Sequence, residues 1–311
     1  MGLIARIPMK AAKTPTEDLI HKVDKHWPML ISPKLDGIRF FVEDGVVLSN
    51  ARIPLRSAFV QRMYGRAEFN NKDGELICGL PYGPGVYDRT FSAVMTTDCE
   101  TPVSAYVFDS MEEGTYITRH KEIIDWYTSL GEEYDNLVRL VEQETVRSWT
   151  QALYWEKVFL AKGYEGAMLR HPRKEYKYNR STLIGGELIK LKRFSTAEAI
   201  IVDYEELFHN GNEAFTDARG LTKRTVHQEN LIPGNMLGAI LAKDIASGVD
   251  MRVGGGEGMD FSLRKWIWQN RELCRGRIFR YKFLGYGEKY RPRHPQWNGW
   301  RDIADLSETY A

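Results

Sequence analysis

The chain has 311 residues, 43% of them hydrophobic and 27% charged, which is enough for two soluble domains of ordinary size. Its formal net charge is +1, so a polyanionic partner would be held by local basic patches and not by bulk charge. Three scattered cysteines, Cys78, Cys99 and Cys274, form no C-x-x-C pair, which excludes a zinc knuckle and a disulfide framework and fits a reducing compartment.

The first thirteen residues lack an apolar signal core, and no apolar run is long enough to span a membrane. The reading therefore expects a cytoplasmic protein with no membrane partner. Thr16 is placed to cap a short helix ending at Asp24, and residues 28–32 read as an apolar strand running into Lys34. Lys34 to Arg39 spells Lys-x-Asp-Gly-x-Arg. Asp-Gly is a favoured turn pair, and a plain turn is one reading. The other is a covalent nucleotide acceptor. An amine attacks only once burial or nearby cations lower its pKa, and the turn would return Arg39 over the same pocket.

Residues 39–49 read as a hairpin about Asp44-Gly45. Arg52 and Arg56 follow, as loop charges or as phosphate contacts. Asp73-Gly74 reads as a turn leading into a strand at Glu75, a rim carboxylate or a metal or ribose ligand. Residues 80–90 are rich in Gly and Pro and read as loop; Val103 to Phe108 reads as a strand. Helical spacing predicts a helix from Ile117 to Leu130 stopped by Gly131, a second over 137–141, and a third from Ser148 to near Gly163.

Tyr164 to Arg170 reads as a strand, Gly185-Gly186 as a turn and Glu187 to Lys192 as an alternating strand. Period two puts Lys190 and Lys192 on one face, which needs either an anion or full solvation. After Arg193 the chain changes character. Strand-like runs at 199–204, 236–242 and 276–284 suggest a small β-domain, interrupted by a polar excursion at 210–235 that carries Arg219, Lys223, Arg224 and His227. A basic stretch follows, with Arg293, Trp297, Trp300 and Arg301.

Taken in order, these motifs resemble the ATP-dependent DNA ligases of the covalent nucleotidyltransferase superfamily, and the compact length resembles the bacteriophage members. The matching segments are Lys34 to Arg39, Asp73-Gly74-Glu75, Tyr106 to Asp109, Glu165 to Met168 and Lys190-Leu191-Lys192. The resemblance implies an α+β fold: a nucleotidyltransferase domain of ATP-grasp-like antiparallel sheets with helices over residues 1–194, then an OB-fold β-barrel over 195–311. It implies ATP as cofactor, AMP carried on Lys34, and Mg2+, for which Mn2+ would substitute.

The family pattern gives each residue a role. Lys190 and Lys192 would neutralise the phosphate and lower the pKa of Lys34. Arg39 would bind AMP or the nick 5′-phosphate. Glu75 would hold ribose or metal, and Glu165 would hold metal. Phe108 and Met168 would sandwich adenine. Arg52, Arg56, Arg219, Lys223, Arg224, Arg293 and Arg301 would contact DNA. The implied partner is nicked duplex DNA, met by a monomer in the cytoplasm, or in the host cytoplasm for a phage protein, during replication, repair or recombination.

The sequence departs from the pattern twice. Asn50 follows Ser49 where many ligases have arginine, and Ser32 stands where many have a glutamate near the adenine amino group. An RNA ligase usually lacks this basic tail. A capping guanylyltransferase stays open because Ser32 leaves the purine undecided. An NAD-dependent ligase needs a cysteine cluster. A non-catalytic nick-binding protein would have no use for the intact lysines and glutamates.

Overall fold

The computed structural model describes residues 6–216, 222–225, 227–286 and 291–301. The chain divides into two compact units, Met1–Lys192 and Arg193–Ala311.

In the first unit, a 3-10 turn at Glu17–Leu19 leads into α1 (His21–Asp24). The Thr16 hydroxyl bonds the Asp18 carboxylate and makes no cap bond to the backbone. β1 (Met29–Pro33), β2 (Ile38–Glu43) and β3 (Val46–Ser49) follow. Asp44 and Gly45 have φ of 50° and 71°, the paired positive values of a tight hairpin turn. Then come α2 (Ala58–Tyr64), β4 (Lys72–Ile77), α3 (Val86–Met95), β5 (Ser104–Ser110), α4 (Tyr116–Thr128), β6 (Val138–Leu140), β7 (Glu144–Val146), α5 (Trp149–Ala161), β8 (Ala167–Arg170) and β9 (Leu188–Leu191). Ser148 caps α5, its hydroxyl accepting from the Gln151 N–H at 3.3 Å.

Three local expectations are corrected here. The loop expected at 80–90 gives way to α3 from Val86, whose buried Val86, Thr90, Ala93 and Val94 make a helical stripe hidden by the Gly- and Pro-rich lead-in. The helix expected over 137–141 is β6, paired parallel to β5. A short apolar run carries no periodicity long enough to separate helix from strand, and Val138 is drawn into the core by its neighbour strand. Asp73-Gly74 is not a turn but lies inside β4. Gly74 is required there because a Cβ would stand 2.7 Å from the Phe40 ring.

Two sheets result, with strand orders β7-β1-β8-β9 and β3-β2-β4-β5-β6. The first packs Met29, Ile31, Val146 and Leu169 against Ala152 and Phe159 of α5. The second packs Phe40, Val42, Leu76 and Val107 against residues of α2, α3 and α4. A smaller cluster, including Phe41, Leu48, Tyr176 and Leu188, joins the two sheets.

The second unit comprises β10 (Ser195–Asn210), β11 (Ala214–Thr216), β12 (Thr222–Arg224), β13 (Leu231–Asp244), β14 (Asp250–Val253), α6 (Phe261–Gln269), α7 (Arg271–Cys274), β15 (Ile278–Phe283) and β16 (Gln296–Trp300). The sheet order is β14-β13-β10-β15-β16, antiparallel throughout. Its core stacks Trp297 on Phe279 with centroids 5.0 Å apart, beside Ile267 of α6. Among the described residues the ladder does not close into a barrel; an isolated bridge joins Gly256 to Trp297. The excursion at 210–235 is not simple loop. β10 and β13 stay paired out to Asn210 and Leu231, and β11 and β12 form a hairpin beyond them.

Candidate active site

The site is built on rows of cross-strand neighbours, whose side chains share a face. In the first sheet Ser32 pairs with Met168, and Met168 with Lys190. The β1–β7 register pairs Ile31 with Glu144; continued by one step it sets Gln143 opposite Ser32. One row therefore runs Gln143, Ser32, Met168, Lys190. The next row lies two residues on. The Lys34 N–H donates to Gly166 O at 2.9 Å, and Gly166 lies beside Leu191 and Lys192. Gly166 has φ of 149° and no room for a side chain, since a Cβ would stand 2.2 Å from Leu191 O. The Glu165 carboxylate bridges the two lysines, taking the Lys34 ammonium on Oε2 and the Lys192 ammonium on Oε1.

The second sheet contributes Arg39 from β2 and Glu75 from β4, which are direct cross-strand partners. Glu75 Oε1 accepts the Gly37 N–H at 3.2 Å. Arg39 grips Asp73 with Nε at 2.9 Å and Nη2 at 2.6 Å, and Asp73 also accepts the Tyr176 hydroxyl at 2.6 Å. In the β4–β5 ladder Asp73 and Gly74 face Asp109 and Val107, so Phe108 is a bulge residue. Its ring lies 5.2 Å from the Arg39 guanidinium and 5.7 Å from that of Arg170. Beneath it Asp109, fully buried, binds both Arg119 and Arg170.

These groups line a cavity of about 360 Å³. Of the predicted residues, Ser32, Lys34, Arg39, Glu75, Phe108, Met168 and Lys190 line it; Glu165 and Lys192 join through their contacts with Lys34. Lys10, Asn50, Gln143, Arg170 and Arg180 line it as well. Sequence reasoning assigned none of these a site role. Arg170 was within reach of period two, being two residues past Met168 on the same strand; Lys10 and Gln143 carry no local signal.

The charges settle differently from expectation. Lys34 was expected to have a lowered pKa, and this is corrected. Burial alone would lower it, but the Glu165 and Glu75 carboxylates outweigh burial and hold it above the ordinary value. Lys190 is pushed down by burial and by the Lys34 and Lys192 ammoniums. Lys192 is pushed down by burial despite Glu165. Glu165 resists burial and lies low because of Lys34 and Lys192. Burial raises Glu75 to about 7, against the pull of Lys34 and Arg39.

The remaining basic candidates are dispersed. Arg52 binds the Glu43 carboxylate and Arg6 O, while Arg56 is exposed. Lys223 and Arg224 lie exposed on β12, and Arg224 bonds Asn212 O across the base of the β11–β12 hairpin. Arg301 donates to the buried Glu198 at 2.7 Å, and the Arg293 backbone bonds Leu284 and Gly285. Arg219 lies outside the described residues.

No protein-family model matches the chain, and no curated protein does. Solved structures do. A Lig E DNA ligase is 21% identical with a TM-score of 0.66, the match covering 94% of this chain and 99% of that one. A Chlorella virus DNA ligase-adenylate is 28% identical with a TM-score of 0.52, covering 94% of this chain and 98% of the other.

Proposed function

We infer that this chain is a compact ATP-dependent DNA ligase, sealing 3′-hydroxyl and 5′-phosphate ends through a lysyl-AMP and a DNA-adenylate. One observation carries the reading. Lys34 lines a cavity together with Lys190, Phe108 and Met168, in a chain 28% identical over nearly its full length to a DNA ligase-adenylate.

In the proposed first step the neutral Lys34 Nζ attacks the α-phosphorus of ATP. A P–N bond forms, pyrophosphate leaves, and the amine loses a proton. A 5′-phosphate oxygen at the nick then displaces Lys34, which regains its proton. Last, the 3′-hydroxyl attacks that 5′-phosphate and AMP leaves. Lys190 and Lys192 neutralise charge on the transferring phosphate. Phe108 and Met168 hold adenine between them, and Arg39, already fixed by Asp73, faces AMP or the 5′-phosphate.

Glu165 and Glu75 suit a hard divalent cation, Mg2+ or Mn2+. Among the described residues no group of three or more His, Cys, Asp or Glu forms a metal cluster. Two carboxylates fit an ion that completes its shell with nucleotide phosphates and water. When bound, such an ion neutralises phosphate charge.

Residues 1–194 are proposed to carry nucleotidyl transfer and residues 195–311 an OB-fold that grips nicked duplex as a monomer. The five-stranded antiparallel sheet and the Gly256–Trp297 bridge support the OB reading. The β10–β13 ribbon with its hairpin is the proposed duplex clamp, with Arg219, Lys223 and Arg224 toward phosphates. Arg52, Arg56, Arg293 and Arg301 are proposed as further backbone contacts. Replication, repair and recombination all supply nicks of this kind.

The test is incubation with α-labelled ATP or GTP, followed by nicked duplex. Acid-labile label on the protein from ATP, then transfer to DNA and sealing, is expected. Label from GTP alone points to a capping guanylyltransferase; comparable sealing of nicked all-RNA duplex points to an RNA ligase.

A further inference from the structure

Gln143 lies beside the end of β7, opposite Ser32, and lines the cavity together with Phe108, Val141 and Met168. The Tyr116 hydroxyl has one proton, and the Phe108 carbonyl, which only accepts, stands 3.1 Å from it. With that proton given to Phe108 O, Gln143 Nε2 donates to the hydroxyl, which also lies 3.4 Å from His120 Nδ1. That leaves Gln143 Oε1 buried, with no donor among the described residues. A buried carbonyl without a partner is unfavourable, and a ligand N–H would relieve it.

We propose that Gln143 Oε1 accepts a hydrogen bond from the 6-amino group of adenine and sets the purine preference of this site. The proposal rests on reading the cavity as the nucleotide pocket. The 6-amino group is a donor and satisfies the carbonyl. The 6-oxo group of guanine is an acceptor and opposes it, so GTP is disfavoured by repulsion as well as by a lost bond. Tyr116 does not touch the base; it is a positioning residue that fixes which face of the carboxamide is offered.

The experiment measures label transfer to Lys34 from three α-labelled triphosphates: ATP, GTP, and purine riboside triphosphate, which lacks the 6-amino group. Wild type, Gln143→Leu and Tyr116→Phe are compared at varied nucleotide concentration. Wild type is expected to use ATP over the deamino analogue by about tenfold in kcat/KM, the scale of one hydrogen bond that leaves a buried acceptor unpaired when lost. Gln143→Leu loses that factor for ATP, mainly through KM, and keeps its rate with the analogue. That retained rate also reports that the variant is folded. In Tyr116→Phe the carboxamide is free to turn and offer its NH2 group, so the ATP preference over GTP narrows. Equal losses for ATP and the analogue in Gln143→Leu, or no wild-type discrimination between them, overturn the proposal. Absence of wild-type labelling from any triphosphate overturns the nucleotide reading, and this proposal with it.

Discussion

Lys34 and Glu165 are joined twice. The ammonium sits on the carboxylate, and the Glu165 N–H donates to Lys34 O at 3.2 Å. The backbone bond fixes where the amine stands; the ion pair fixes its charge. A protonated lysine does not attack phosphorus, so the proposed transfer requires Lys34 to lose this proton first.

Lys34→Ala is expected to abolish label transfer from ATP while leaving the melting temperature near that of wild type, because the side chain belongs to no core cluster. Lys34→Arg will do no better, since a guanidinium stays protonated. Label that persists in either variant would mean that another side chain carries AMP.

Glu75 gives a pH signature. Its pKa rises from the ordinary 4.5 to about 7, chiefly through burial, so the folded state binds this proton more tightly than the unfolded state. Stability from this group is therefore greatest at low pH and falls as pH rises between those two values. Glu75→Gln removes the ionisation and can still accept the Gly37 N–H. Melting scans at several pH values should find the variant level with wild type near pH 4 and more stable above about pH 8. A constant gap across the range would refute the assignment.

Asp109 is fully buried and pairs with Arg119 and Arg170, which are 1% and 8% exposed. Asp109→Ala would strand two buried cations and is expected to cost about 3–5 kcal/mol in denaturant unfolding. The pair Arg62–Glu100 is more than half exposed on both sides, and Arg62→Ala should leave stability unchanged. Similar behaviour of the two variants would contradict the buried network.

The ribbon prediction concerns binding. Nick binding through phosphates should be indifferent to sequence and weaken steeply with salt. Replacing Arg219 and Lys223 with alanine should flatten the salt slope by roughly one unit per lost phosphate contact. Arg224→Ala should additionally loosen the base of the β11–β12 hairpin, because its guanidinium holds Asn212 O. Label transfer from ATP should survive in all three. An unchanged slope would leave the ribbon a bystander.

Some of this was legible in the chain. The 39–49 hairpin, α4 and α5 could be read directly, because Asp-Gly, helical apolar spacing and the Ser148 cap act within a few residues. β6 was not, because three residues show no period and a parallel neighbour some thirty residues earlier decides their state. The ribbon was missed for a similar reason. Polar residues of β10 and β13 pair with each other on an exposed arm, where no apolar alternation marks the strand.

The sequence by itself determined which chemical groups the protein owns: the amine of Lys34, the carboxylates of Glu75 and Glu165, and the common face of Lys190 and Lys192, which period two alone dictates. Only the tertiary structure decided their charge states and which unread residues join them. Glu165 reaches Lys34 from 131 residues away and holds its proton on, and Gln143 becomes a fixed acceptor because Tyr116, 27 residues earlier, takes its NH2 group. Burial and pairing set a pKa or orient an amide, and both arise from contacts between distant parts of the chain that no local pattern encodes.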